Sequence, residues 1–222
     1  MKNNTISFNR IYRLNYQTAL EIAEMVDSQS VSGLDKAGIK RELNRLANNP
    51  ELFSNDGRVM YTAIDQNYNI LGHAYGYAKI FDSKYHNKRF ITFYLAHLIT
   101  KPDYQKKYKI GSNLYNIIQA ESLQSGSFHI VEEMLEAPEF VSVNANFPVT
   151  NSSRGFYEKL DFKIESIYND DTGYNEWIAN KNILECKTSD FKSAATKLKK
   201  SAERLKPRIK KVSETIPVYN GK

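Results

Sequence analysis

Phe156-Tyr157-Glu158-Lys159-Leu160-Asp161-Phe162 closes a short helix and opens a strand. Read outward in both directions, it organises the second half of the chain. Phe156, Leu160 and Phe162 pack inward, while Tyr157 sits beside Phe156 on a different face of the helix. Asp161 stands where the chain must leave the helix, and aspartate tolerates the left-handed backbone of a helix C-terminus better than most residues. Upstream, Thr150 or Asn151 can cap the same helix, predicted over 151–161, through a side-chain oxygen. A strand is predicted before it, over 139–146, and two more after it, over 162–168 and 174–183.

Further toward the N-terminus, residues 89–100 (Arg-Phe-Ile-Thr-Phe-Tyr-Leu-Ala-His-Leu-Ile-Thr) form the longest apolar, β-branched and aromatic run. Such a run predicts a central strand buried on both faces, ended by Pro102. Strands over 58–65 and 70–82 flank Gln66-Asn67-Tyr68-Asn69 as a hairpin. A first strand spans 6–14, with helices over 16–28 and 34–48. Leu114, Ile117, Ile118 and Leu123 define a helix over 111–124, and 127–136 is expected to add a short separate one. The predicted order is β-α-α-β-β-β-α-β-α-β-β, without internal repeats.

Composition narrows the class. The chain has 222 residues, 41% hydrophobic, enough for one domain with a sizeable core. No stretch approaches the ~18 apolar residues of a membrane span, and the first residues lack the apolar segment of a secretory signal. The single cysteine, Cys186, excludes an intrachain disulfide framework and a cysteine-rich metal site, and points to a reducing, cytoplasmic setting. Charge is unevenly placed: residues 1–186 carry a net −2 and residues 187–222 a net +8. The division is therefore a domain over 1–186 and a basic extension over 187–222. In the extension Phe191, Ala194, Ala195, Leu198, Ala202 and Leu205 fall at helical spacing, and Pro207 stops the helix.

Between the central strand and the helix at 111 lies Tyr104-Gln105-Lys106-Lys107-Tyr108-Lys109-Ile110-Gly111-Ser112. The N-terminus of a helix presents unpaired amides and the positive end of its dipole, a natural seat for an anion. Gly111 allows close approach of backbone to phosphate, and Lys106, Lys107 and Lys109 add charge. The turn would suit a pyrophosphate.

Both segments resemble motifs of the GNAT superfamily of acyl-CoA N-acyltransferases, over roughly residues 58–183. The turn is similar to Arg/Gln-x-x-Gly-x-Gly/Ala after a strand ending Leu-x-Val-x-Pro; here the strand ends Leu98-Ile99-Thr100-Lys101-Pro102, and Lys106 to Gly111 fill the motif. Lys106 stands at the Arg/Gln position, or Gln105 does if the turn is one residue longer, and Lys109 replaces the first glycine. The tyrosine helix resembles Phe/Leu-Tyr-Glu-Lys-x-Gly-Phe, with Asp161 for glycine. Ser153 stands at the alanine position, and Asn151 lies one residue closer to the tyrosine than usual.

The resemblance implies an α+β fold: a mixed, largely antiparallel twisted sheet with helices on both faces, here followed by a basic helical extension. It implies an acetyltransferase that uses acetyl-CoA as co-substrate and a primary amine of a small molecule, peptide or protein as acceptor. Leu98, Ile99 and Thr100 would pair with the pantetheine arm. Lys106, Lys107, Tyr108, Lys109, Ile110, Gly111 and Ser112 would surround the pyrophosphate, Asn151 would be a further CoA contact, and Tyr157 would protonate the departing thiolate.

A general base is harder to read. The positions that carry a Glu or His in such enzymes are Tyr94 and Ala96 here, and strict alternation puts His97 on the opposite face. His73, His86 and His129 have no motif around them. Without a base, the acceptor is expected to be an amine of low pKa or one deprotonated through water. Two other readings use the basic extension on nucleic acid: a domain that has lost transfer, or an acyltransferase acting on tRNA- or ribosome-associated amines. The extension could equally meet an acidic partner or pack across a homodimer.

Overall fold

The computed structural model describes residues 6–30, 34–52, 58–83, 88–105, 108–132, 139–149, 153–169 and 173–205. The chain runs β1 (Ser7–Ile11), α1 (Tyr16–Asp27), α2 (Lys36–Asn48), β2 (Val59–Ile64), β3 (Ile70–Ser83), β4 (Lys88–Thr100), α3 (Ile110–Glu132), β5 (Phe140–Pro148), α4 (Arg154–Glu158), β6 (Lys163–Asn169), β7 (Tyr174–Lys187) and α5 (Phe191–Leu205). Seven strands form one sheet in the order β1-β2-β3-β4-β5-β7-β6. Every pairing is antiparallel except β4 with β5. The fold is α+β with helices on both faces, as the sequence predicts.

Asn15 and Asp35 open α1 and α2, their side chains accepting from the amides of Thr18 and Gly38 at 2.8 Å each. The apolar stripes of these helices, including Ile22, Val26, Leu43 and Leu46, cover one face of the sheet against Met60, Ile70, Tyr75 and Ile99. The opposite face packs on α3 through Ile110, Leu114, Ile117 and Ile118, and on α4 through Tyr157. Helix α3 lies close to β3 because two glycines permit it. A methyl on Gly76 would fall 2.7 Å from Ile118 Cγ2 and 2.9 Å from the Tyr94 carbonyl oxygen.

One helix extends beyond its predicted limits. Instead of two helices over 111–124 and 127–136, one helix runs to Glu132, because Ser125-Gly126-Ser127 weakens a helix without stopping it. Residues 133–136 of the expected second helix lie outside the described residues. The α5 helix begins the basic extension yet buries Phe191 and Ala195 completely; Phe191 packs with Val141 and Val143 of β5. Residues 206–222 lie outside the described residues.

Candidate active site

The parallel pair β4–β5 is joined only over Lys88–Phe93 and Phe140–Ala145. Beyond Phe93 and Ala145 the strands continue, to Thr100 and Pro148, without pairing to each other. This opening lies at the centre of the sheet. The same part of β4 is irregular on its other side: Tyr75 faces His97 and Gly76 faces Leu95, so Ala96 is the extra residue of a β-bulge. Gly76 fits this bulge because its missing side chain would collide with the Tyr94 carbonyl.

The tyrosine helix delivers Tyr157 beside the opening. Its ring stacks on Phe147, the second β5 residue beyond the last pair, with centroids 5.6 Å apart and planes at 25°. Phe162 and Phe156 close around it edge-on at 5.4 and 5.3 Å. The helix ends as the sequence suggests. Asp161 has φ +61°, the Phe162 amide donates to the Tyr157 carbonyl, and the Asp161 amide donates to the Glu158 carbonyl. These two bonds are a Schellman closure, and the Tyr157–Phe162 contact is its apolar clasp. Tyr157 is 9% exposed, and burial pushes its phenol up to about 12. It stays protonated at neutral pH and can donate a proton but not accept one. Tyr115 of α3 is likewise raised, by burial first and then by the neighbouring Tyr157, and its hydroxyl accepts from Gln119 at 2.6 Å.

At the far end of β4 the chain turns through Pro102–Tyr104 into α3. The first intrahelical bond runs from the Asn113 amide to the Lys109 carbonyl. The amides of Ile110, Gly111 and Ser112 therefore precede the ladder and have no acceptor within the helix. Lys109 has φ +53°, so the lysine occupies a left-handed position that glycine would fill without strain. Replacing it should help the fold: Lys109→Gly is expected to stabilise the protein by about 0.5–1 kcal/mol, read as a melting temperature higher by roughly 2 °C. A lower melting temperature would contradict the strain.

Gly111 is different. A methyl there would lie 3.7 Å from Phe156 Cε2 and Thr100 Oγ1, ordinary contacts, so the chain itself does not require glycine. Gly111→Ala is expected to leave the melting temperature unchanged or higher while weakening acetyl-CoA about 10-fold, the loss of one phosphate hydrogen bond. Equal affinity by calorimetry would show that no ligand approaches that amide.

The remaining predicted contacts divide. Ile110 is buried beneath the turn, and Tyr108 is exposed, its ring 6.2 Å from that of Tyr104. Leu98 and Thr100 border the opening half-buried, whereas the Ile99 side chain is buried against the α1–α2 layer. The Thr100 carbonyl already accepts from Gln29 Nε2 at 3.2 Å and Gln105 Nε2 at 3.1 Å, and Gln105 also donates to Gln29 Oε1. Gln105 thus ties the turn to α1; neither glutamine's role follows from spacing, although Gln105 falls within the motif. Lys106, Lys107 and Asn151 lie outside the described residues.

His97 is not where alternation predicts. The bulge at Ala96 returns it to the face of Tyr94, toward α1 and α2. Its ring lies 5.5 Å from that of Tyr75, and its Nδ1 lies 3.4 Å from His73 Nε2. Burial holds the His97 imidazole down to about 4 and keeps His73 well below its usual range. Drawing a proton from an amine of pKa ~8 onto such a group costs about 5 kcal/mol, so His97 is a poor base. Glu42 is committed elsewhere. Two Arg45 hydrogen bonds of 2.7 Å lower its carboxyl, and the Tyr75 hydroxyl, which accepts from Arg58, donates to it at 3.4 Å. No group of three metal-ligating side chains occurs among the described residues. Nor, among them, is any helix long and apolar enough to cross a membrane.

The architecture is similar to that of solved GNAT-family proteins. A Desulfovibrio desulfuricans protein assigned to the GNAT family superposes with a TM-score of 0.53 at 14% identity, over 81% of this chain and 100% of that one. A GNAT-family acetyltransferase from Staphylococcus aureus aligns at 14% identity and a TM-score of 0.45, over 80% and 100% of the two chains. A chain of the NatC complex, solved with Gag peptide and CoA, aligns at 14% identity and a TM-score of 0.44, over 81% and 99%. No protein-family model matches the chain, and no curated protein matches it in sequence. The chain has the GNAT fold.

Proposed function

We propose that the protein is an N-acetyltransferase that moves the acetyl group of acetyl-CoA to a primary amine, with Tyr157 as the acid that meets the departing thiolate. The observation that carries this reading is the opening between β4 and β5, with a buried, protonated phenol at its side and, at its end, three helix amides that have no acceptor among the described residues. In this reading the pyrophosphate rests on the amides of Ile110, Gly111 and Ser112. The pantetheine lies along β4 at Leu98 and Ile99, and the thioester reaches the bulge.

The amine nitrogen attacks the thioester carbon, forming C–N as C–S breaks. Ala96, which has no partner in the β3 register because of the bulge, offers its amide as the donor for the oxyanion in this reading. The thiolate takes the Tyr157 proton, and the proton shed by the new amide nitrogen returns to the tyrosinate through water. A phenol at about 12 is a weak acid beside a thiol near 8.5 in water. The burial that raises the phenol raises the thiol too, and narrows that gap. With His97 and Glu42 unsuited to proton abstraction, the acceptor is an amine that is substantially neutral near pH 7–8.

Thermal denaturation with acetyl-CoA tests the reading. At 100 times its dissociation constant a ligand stabilises by about 2.7 kcal/mol, so the melting temperature should rise by roughly 5–10 °C. An unchanged melting temperature would favour a GNAT-like domain that no longer binds CoA.

A further inference from the structure

Two short segments, Asn144-Ala145-Asn146 of β5 and Asn180-Lys181-Asn182 of β7, lie side by side. Asn144 faces Asn182 and Asn146 faces Asn180, as consecutive same-face pairs. The intervening pair, Ala145 with Lys181, points the other way, Ala145 into the core under α3. The four asparagines therefore share the face on which α1 and α2 lie. The α1–α2 core draws on β2, β3 and β4 and takes no residue from β5 or β7. Asn146 and Asn182 are exposed, Asn144 and Asn180 half-buried.

An uncovered sheet face is normally polar, but asparagine is an unusual way to make it so. Asparagine is depleted in strands, where threonine would serve solvent equally well. Here it fills two adjacent cross-strand pairs. Two of the carboxamides are oriented by neighbours: Asn144 Nδ2 donates to Ser142 Oγ at 3.3 Å, and Asn180 bonds to the Glu165 carboxylate. The patch begins at the opening, since Asn146 is the first β5 residue beyond the last β4 pair, near Tyr94 across the gap.

We propose that this carboxamide grid holds the backbone of the acceptor, and that the acceptor is the N-terminal segment of a polypeptide. The proposal rests on the acetyltransferase reading. Same-side asparagines along each strand lie about 6.8 Å apart, the repeat at which an extended peptide presents equivalent backbone groups. Each carboxamide offers donors and an acceptor, which is what a peptide group needs. The four carboxamides carry no charge, and the charges that border Asn180, Lys163 and Glu165, pair with each other, so the grid reads backbone rather than side-chain sign. A peptide α-amine, with a pKa of roughly 7.7–8.0, is also the amine that needs least help from a base.

Acetyl transfer from radiolabelled acetyl-CoA is measured to Ser-Ala-Ala-Ala amide, serinamide, glucosamine and spermidine, with the full chain and with Asn146→Thr/Asn182→Thr. The tetrapeptide should exceed serinamide about 10-fold in kcat/KM, and the double variant should lose most of that ratio, through KM of the peptide. Its KM for acetyl-CoA should not change, and its melting temperature should not fall, because threonine is the better strand residue. Equal use of tetrapeptide and serinamide, a preference for glucosamine or spermidine, or a double variant that keeps the length ratio would each overturn the proposal while leaving acetyl transfer standing. A chain that binds no acetyl-CoA would instead remove the reading beneath it.

Discussion

Tyr157→Phe is expected to lower kcat about 10²-fold or more, the range for loss of a positioned acid, with no loss of stability. The ring contributes the packing, stacked on Phe147 and clasped by Phe162, and phenylalanine keeps all of it. The hydroxyl contributes little to the fold, since burial alone accounts for its raised pKa and no hydrogen bond among the described residues adds to the shift. A role in transfer and a role in packing therefore separate cleanly. If Tyr157 is the acid, kcat falls, KM for acetyl-CoA stays within a few-fold, and the melting temperature is unchanged or slightly higher. If the tyrosine only packs, all three stay put. A drop in melting temperature with unchanged kcat would reverse the assignment. A thioester with a more acidic leaving thiol should narrow the deficit, because that thiolate needs less help.

The second large effect is at high pH. Burial raises five phenols, Tyr77 among them; the four largest shifts are those of Tyr75 and Tyr157, to about 12, and of Tyr61 and Tyr115, higher still. In the unfolded chain all four titrate near 10. The folded state holds its protons longer, so these groups contribute stability that is fully present below pH 10. That contribution declines as pH rises through the interval between the unfolded and folded values. Each loses about 1.4 kcal/mol per pH unit there, and four together lose about 5. Against a total stability of ~5–15 kcal/mol, the protein should unfold cooperatively between about pH 10.5 and 12. Tyrosinate absorbance should end in a late, steep phase that coincides with the loss of far-ultraviolet dichroism, after the exposed rings have ionised. Ionisation of all fifteen tyrosines with the dichroism intact would contradict the burial of these rings. In Tyr157→Phe the slope of stability against pH should be shallower by about one quarter.

Much of this architecture is legible in the sequence because its cues are local. The apolar run at 89–100 gives the central strand. The left-handed Asp161 follows from its place after a closing helix, and the strain at Lys109 follows from a lysine where a glycine belongs. Tyr157 is legible for the same reason: its neighbours Phe156 and Phe162 are fixed by one helical turn. What the sequence hides depends on register between distant strands. The face of His97 changes because Ala96 bulges opposite Gly76, and nothing within 89–100 marks that residue as extra. The two Asn-x-Asn segments look unremarkable until β5 and β7 align them pair for pair. The length of α3 is misread because Ser125-Gly126-Ser127 looks like a break between two helices, whereas it weakens the helix without stopping it.

A CoA thioester that enters between β4 and β5 and ends beside Tyr157 would be seen in a crystal structure of the protein with CoA. The pyrophosphate should lie on the amides of Ile110, Gly111 and Ser112, the pantetheine between the unpaired ends of β4 and β5, and the sulfur within hydrogen-bonding distance of the Tyr157 hydroxyl. CoA bound elsewhere on the sheet, or its sulfur held away from Tyr157, would contradict this placement.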